Sequence, residues 1–163
     1  MADFFKTIKL SLMIKTTILL AHLLTSLSSY SQFVARVDIK EKIEGICDAN
    51  NVIVVIPMYK GQTKAVCAVA DSTIVRRLNT EVEYLKDKKD DNDQGIVRIL
   101  INCKGQVVKC DTDKKTKDPI LDEQILAVFK TVTFTKPAKL KKANIDSLVF
   151  WSFEIANGVI RMK

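Results

Sequence analysis

Four cysteines and one histidine are the residues of this 163-residue chain whose types lend themselves most readily to chemistry. Cys47, Cys67, Cys103 and Cys110 could in principle pair as disulfides, hold a metal or act as nucleophiles. Zinc sites use close-spaced ligand pairs such as C-x2-C, usually with histidine, and the chain has no such spacing. Its only histidine is His22, inside an N-terminal stretch with the features of a leader. Ser-His and Cys-His nucleophilic catalysis and histidine-based zinc binding therefore drop out together, and no cofactor is expected. An even cysteine count in an exported chain argues instead for two disulfides using all four, with free buried thiols as the alternative. Pairing Cys47–Cys67 and Cys103–Cys110 would keep both loops local. Cys103 and Cys110, however, flank a tight turn at Lys104-Gly105, where a two-residue loop sets Cys103 opposite Gln106. The connectivity stays open among the three possibilities.

The carboxylates give two further candidates. Glycoside hydrolysis needs only paired Asp or Glu, and Asp111, Asp113 and Asp118 lie close in sequence. They sit in the polar stretch "DTDKKTKDP" and at a helix start, where solvated or capping roles are expected. In "KDKKDDNDQG", Asp90, Asn92 and Gly95 fit part of a calcium-binding loop. The twelfth place is Ile101, where a bidentate Glu is required. The chain is therefore read as non-enzymatic.

The elements that hold these residues begin after a leader. Lys6, Lys9 and Lys15 make a basic start, Ile18 to Leu27 is a short apolar run, and Ser29 and Ser31 stand at the −3 and −1 places before Gln32. That order describes a secretory signal peptide over residues 1–31. The apolar run is about half the ~20 residues of a spanning helix, and no cysteine follows it to carry a lipid. The expected product is exported, periplasmic or secreted, with no stable membrane anchor after cleavage. Removing Lys6, Lys9, Lys15 and Asp3 from the 26 basic and 19 acidic residues leaves 23 and 18, a net charge of +5. That permits an acidic partner. The positives are spread along the chain without interleaved aromatics, so no nucleic acid is expected.

Residues 32–71 form a small disulfide-bearing segment of unassigned role. Within it the β-branched "VIVVI" of Val52–Ile56 reads as a short buried strand stopped by Pro57. Thr63 to Ala70 reads as a second strand or a tethered loop. Residues 72–163 read as one α+β domain. Ser72 caps a helix whose Ile74, Leu78, Val82 and Leu85 fall on one stripe. "GIVRILINCKGQVVKCDTD" is a β-hairpin: Val97, Ile99 and Ile101 alternate with Arg98, Leu100 and Asn102, and Lys104-Gly105 turns the chain. Asp118-Pro119 starts a second helix with Leu121, Ile125, Val128, Phe129 and Val132 inward. Lys139 to Asn144 is a basic turn. Ser147 to Ile155 is the last strand, with Val149, Trp151, Phe153 and Ile155 on one face and Leu148, Phe150, Ser152 and Glu154 on the other. Asn157-Gly158 makes a final turn. The order α-β-β-α-β gives a three-stranded antiparallel sheet packed against two helices.

This second half resembles the TonB C-terminal domain family, the periplasmic energy-transduction module of Gram-negative envelopes. The matching stretches are "GIVRILINCKGQVVKC", "LDEQILAVFKTVTF" and "KPAKLKKANIDSLVFWSFEI", and the likeness covers about Thr73 to Ile155. The mature chain has only Pro57, Pro119 and Pro137, so the long Pro-rich linker of TonB itself has no counterpart here. The resemblance implies the fold and a way of binding, in which the last strand is a sheet edge and partner peptides add to it by main-chain hydrogen bonds. Leu148, Phe150, Ser152 and Glu154 would then face the partner, and Lys139, Lys141 and Lys142 beside them would favour an acidic one. The partner is expected to be a protein or peptide of the envelope. The alternative is a structural envelope protein that pairs with a second copy.

Overall fold

A computed structural model describes residues 34–56 and 59–163; the expected signal peptide lies outside the described residues. The chain from Phe33 to Lys163 makes one compact unit. Its organising element is Ser147–Ala156 (β10), the longest strand. The period-2 alternation of β10 works as expected on one face. Trp151, Phe153 and Ile155 are buried there, with Val149 packed against them. They meet the stripes of Asp71–Glu81 (α1) and Pro119–Lys130 (α2). Ile74, Leu78, Val82 and Leu85 come from α1 and the 3-10 turn after it, and Leu121, Ile125, Val128, Phe129 and Val132 from α2 and its exit; all are buried. Phe129 and Trp151 touch as a tilted ring pair, centroids 5.8 Å apart. Asp118 caps α2 by accepting the Ile120 N–H, and Pro119 occupies the first turn, where its missing N–H costs nothing. The expected Ser72 cap does not form: α1 starts at Asp71, two residues before the expected Thr73, after Ala70 and with no side-chain cap.

The hairpin is Asp93–Ile101 (β5) and Val107–Lys114 (β6). Its turn is longer than two residues. The Asn102 N–H donates to the Gln106 carbonyl, leaving Cys103-Lys104-Gly105 as the loop, with Gly105 at φ 85°. β10 pairs with β5 along its length. Gly95 stands opposite Phe153, whose ring would lie 2.4 Å from any Cβ there. The absent side chain makes room for the core aromatic.

The sheet is larger than the three strands expected. Among the described residues it has six, in the order β1-β2-β10-β5-β6, with β11 also on β10. Ala35–Val37 (β1) pairs with Val52–Val54 (β2), and β2 adds in parallel to the start of β10, Ser147 with Ile53 and Leu148 with Val54. Val159–Met162 (β11) returns antiparallel along the end of β10. Asn157 and Gly158 sit at φ 54° and 74°, the two positive values a tight hairpin turn needs. Asn79 of α1 fixes this return through both backbone groups of Ile160, accepting its N–H and donating to its carbonyl.

Two short sheets complete the unit. Gln62–Thr63 (β3), Ala138–Leu140 (β8) and Ala143–Ile145 (β9) form one; Val66–Cys67 (β4) and Phe134–Lys136 (β7) form the other. The basic turn is thus a β8–β9 hairpin, with Lys141 at φ 58°.

Candidate partner-binding surface

The last strand does not present the free edge expected of it. On the side away from β5, Ser147 and Leu148 are covered by β2 and Phe153 to Ala156 by β11. The Lys163 N–H donates to the Ser152 carbonyl at 2.9 Å. Between these covers, Val149, Phe150 and Trp151 have no strand partner on that side among the described residues. Backbone groups alternate along a strand, so Phe150 turns its N–H and C=O the same way as Ser152, into this gap. Its ring is 41% exposed.

Of the seven residues expected to meet a partner, Phe150 alone is an exposed residue on the uncovered stretch of β10. Leu148 is only 5% exposed. It is buried with Val52 and Leu100 beneath Val37, Ile39, Ile43 and Ile46, because the N-terminal segment lies over this face of the sheet. Ser152 and Glu154 are half-buried, and Glu154 pairs with Lys163 at 3.1 Å. Lys139, Lys141 and Lys142 are exposed, but they belong to the β3-β8-β9 sheet rather than to the strand.

A hollow of about 210 Å³ opens at the gap, lined by Val54, Val55, Lys64, Ala65 and Ser147 to Phe150. Two of its polar groups stand out. Ser147 is 1% exposed, and its hydroxyl has no hydrogen-bond partner among the described residues. Lys64 has no ion pair among the described residues. No pattern in the sequence marks either one: Ser147 is a small residue at a strand start, and Lys64 is one lysine among many.

A second groove, of about 330 Å³, runs between Val37, Ile39, Ile43, Leu100 and Leu148, with Arg98, Lys109, Asp111 and Glu41 along it. Its Arg98 and Lys109 are matched internally, while Asp38 and Lys40, which also line it, make no ion pair among the described residues. Arg98 makes two 2.8 Å bonds to Asp111 and reaches Asp113 at 3.4 Å. Lys109 pairs with Glu41, and with Asp111 at 3.3 Å. The Arg98 hydrogen bonds hold the Asp111 carboxyl below its ordinary value, and Asp111 in turn raises Arg98. The acidic trio is accordingly split: Asp118 caps α2 and accepts a 2.7 Å bond from the Tyr84 hydroxyl. Among the described residues, no group of His, Cys, Asp and Glu is arranged to hold a metal, and no helix is long and apolar enough to cross a membrane.

Among the described residues one disulfide forms, between Cys47 and Cys103, with Cα atoms 6.0 Å apart. Neither local pairing is present, and Cys67 and Cys110 are half-buried thiols. Cys110 lies opposite Ile99, facing the helices, whereas Cys103 is in the turn against the N-terminal segment. Burial pushes the Cys110 thiol up to about 11. Beside the disulfide sits Asp146, 2% exposed. Its carboxylate accepts the N–H groups of Cys47 (3.1 Å), Asp48 (2.6 Å) and Cys103 (3.0 Å), and its carbonyl accepts that of Ile53. Asn102 adds a bond from Nδ2 to the Gly45 carbonyl. This clamp holds β2 against β10. Sequence reasoning missed Asp146, whose one signal is an acid placed directly before the apolar run "SLVFW".

Comparison of the chain with protein-family models, with curated proteins and with solved structures finds no match.

Proposed function

We propose that the chain is a non-enzymatic, exported protein-interaction module that takes an extended partner segment at the uncovered stretch of β10. The observation that carries this reading is Phe150. It is an exposed aromatic on a strand otherwise covered at both ends, with its backbone groups turned into the gap. A partner segment of about three residues, roughly 10 Å of strand, would fill the lane between β2 and β11. Main-chain bonds would then give affinity and the adjoining hollow would give selectivity. The likeness to the TonB C-terminal family supports the same strand as the binding element. In this chain, β2 already occupies part of that lane.

The test is backbone amide chemical-shift mapping of the oxidised protein against extended valine- and threonine-rich hexapeptides. The reading expects saturable shifts centred on Ser147 to Ser152, Val54, Val55 and Lys64. Shifts centred on the β6 edge or on α1, or none at millimolar peptide, would contradict it.

A further inference from the structure

We infer that the hollow beside Phe150 selects an extended segment in which an aliphatic side chain adjoins a carboxylate; this rests on strand addition at β10 and specifies its ligand. Two recesses adjoin Leu148, and their charges differ. The larger groove contains Arg98 and Lys109, but Asp111, Asp113 and Glu41 already match them. A carboxylate gains little there, because three acidic residues, Asp38, Glu41 and Asp111, line the groove together with its three basic ones, Lys40, Arg98 and Lys109. In the smaller hollow the charged lining residue is Lys64, and it has no counter-ion among the described residues. The rest of the lining, Val54, Val55, Ala65, Leu148, Val149 and Phe150, is apolar and suits an aliphatic side chain.

Ser147 supplies the independent observation. A buried hydroxyl without a partner is uncommon in folded proteins and is costly to keep. Ser147 is one of the residues lining the hollow, where β10 loses its cover, and its hydroxyl is buried just behind that lining. A peptide group or carboxylate oxygen arriving beside it would accept its proton and remove that cost. Affinity for the ligand and stability of the free protein are thus opposed at this residue. The carboxylate is that of an acidic side chain next to the aliphatic one, and binding through a chain end is an outcome that the experiment detects.

The probes are three fluorescein-labelled hexapeptides alternating valine and threonine. One is amidated with a central aspartate, one is its asparagine twin, and one is neutral with a free C-terminal carboxylate. Anisotropy with the oxidised full chain should rank the aspartate peptide at least about tenfold above the asparagine twin, and a free-carboxylate peptide that binds more tightly than the aspartate peptide would overturn the side-chain source. Lys64→Gln should abolish that preference, and Lys64→Glu should invert it. Ser147→Ala should weaken every peptide while raising the melting temperature of the free protein. Equal binding of all three peptides, sensitive to Phe150→Lys, would overturn the carboxylate assignment and leave strand addition standing. Binding of none of them would overturn both. Unchanged affinity in Ser147→Ala would remove the hydroxyl from the ligand's contacts and overturn its assigned role.

Discussion

Trp151 and Leu148 stand three residues apart on β10 and face opposite covers. Trp151 lies under α1 and α2, two elements with apolar stripes of helical period that bury continuous side-chain layers. Leu148 lies under residues 37–46, which form no regular element beyond the end of β1. A helix-covered face is specified many times over, because each turn of each helix repeats the instruction. The other face depends on a few point restraints: the Cys47–Cys103 bond, the Asp146 carboxylate, the Asn102–Gly45 bond and the short parallel pairing of β2. Such a cover can stop partway along a strand. It stops at Leu148, and Phe150 is what it leaves out.

The largest test of this contrast is on the helix side. Trp151→Ala removes the ring that packs on Phe129 and should cost about 3–5 kcal/mol, read as a loss of cooperative unfolding or a sharply lowered denaturation midpoint. On the clamp side, Asp146→Ala strands the N–H groups of Cys47, Asp48 and Cys103 and should cost about 3 kcal/mol. Amide exchange should show where that loss falls. The account expects accelerated exchange in β1, β2 and the residues between them, with α1, α2 and β5 retaining protection. Uniform acceleration would mean that the two covers are not separable.

Reduction acts on the same side with an effect of similar size. The Cys47–Cys103 bond closes a long loop, the sequence separation being 56 residues. Breaking it should cost about 2–4 kcal/mol, chiefly by freeing the unfolded chain. Mass spectrometry after alkylation of the unfolded, unreduced protein should find two labelled cysteines, Cys67 and Cys110, and four after reduction. In the native protein Cys110 should label slowly near neutral pH, because burial raises its pKa to about 11. An unfolded, unreduced protein with no alkylatable thiol would show that these two also pair.

The smallest effect is electrostatic. Arg98 lowers the Asp111 pKa in the folded state. The pair's stabilisation is therefore complete above the ordinary carboxylate pKa and is lost as pH falls through the depressed folded value. Both side chains are partly solvated, so less than about 1 kcal/mol is at stake. Comparing the wild type with Asp111→Asn, the stability difference should shrink below about pH 4 and with added salt.

The same contrast explains which parts of the molecule were legible in the sequence. Both helical stripes, the β5–β6 hairpin, the Asp118-Pro119 start and the Asn157-Gly158 turn carry local signals within a few residues. Their inward faces are as the pattern implied. The strand expected over Val52–Ile56 forms over Val52–Val54, but its place was not readable, since parallel addition to β10 joins residues far apart and leaves no local signature. The Cys47–Cys103 partnership was one of three that spacing cannot rank. Asp146 looks like any acid before a strand until the three N–H groups converge on it. For the proposed site, the sequence singled out β10 and, on it, Phe150. It overstated the exposed face, because a cover without periodicity cannot be seen in advance. Lys64 and Ser147 become notable only from what they lack, which is a property of the folded surroundings.

The most direct test of the central claim pairs two substitutions on one strand. Phe150→Lys and Trp151→Ala are to be compared by urea denaturation and by anisotropy with the labelled aspartate hexapeptide. The account predicts that Phe150→Lys unfolds within about 0.5 kcal/mol of the wild type, as an exposed position should, and no longer binds the peptide, whereas Trp151→Ala loses stability itself. A Phe150→Lys protein as damaged as Trp151→Ala, or one that binds the peptide as the wild type does, would contradict it.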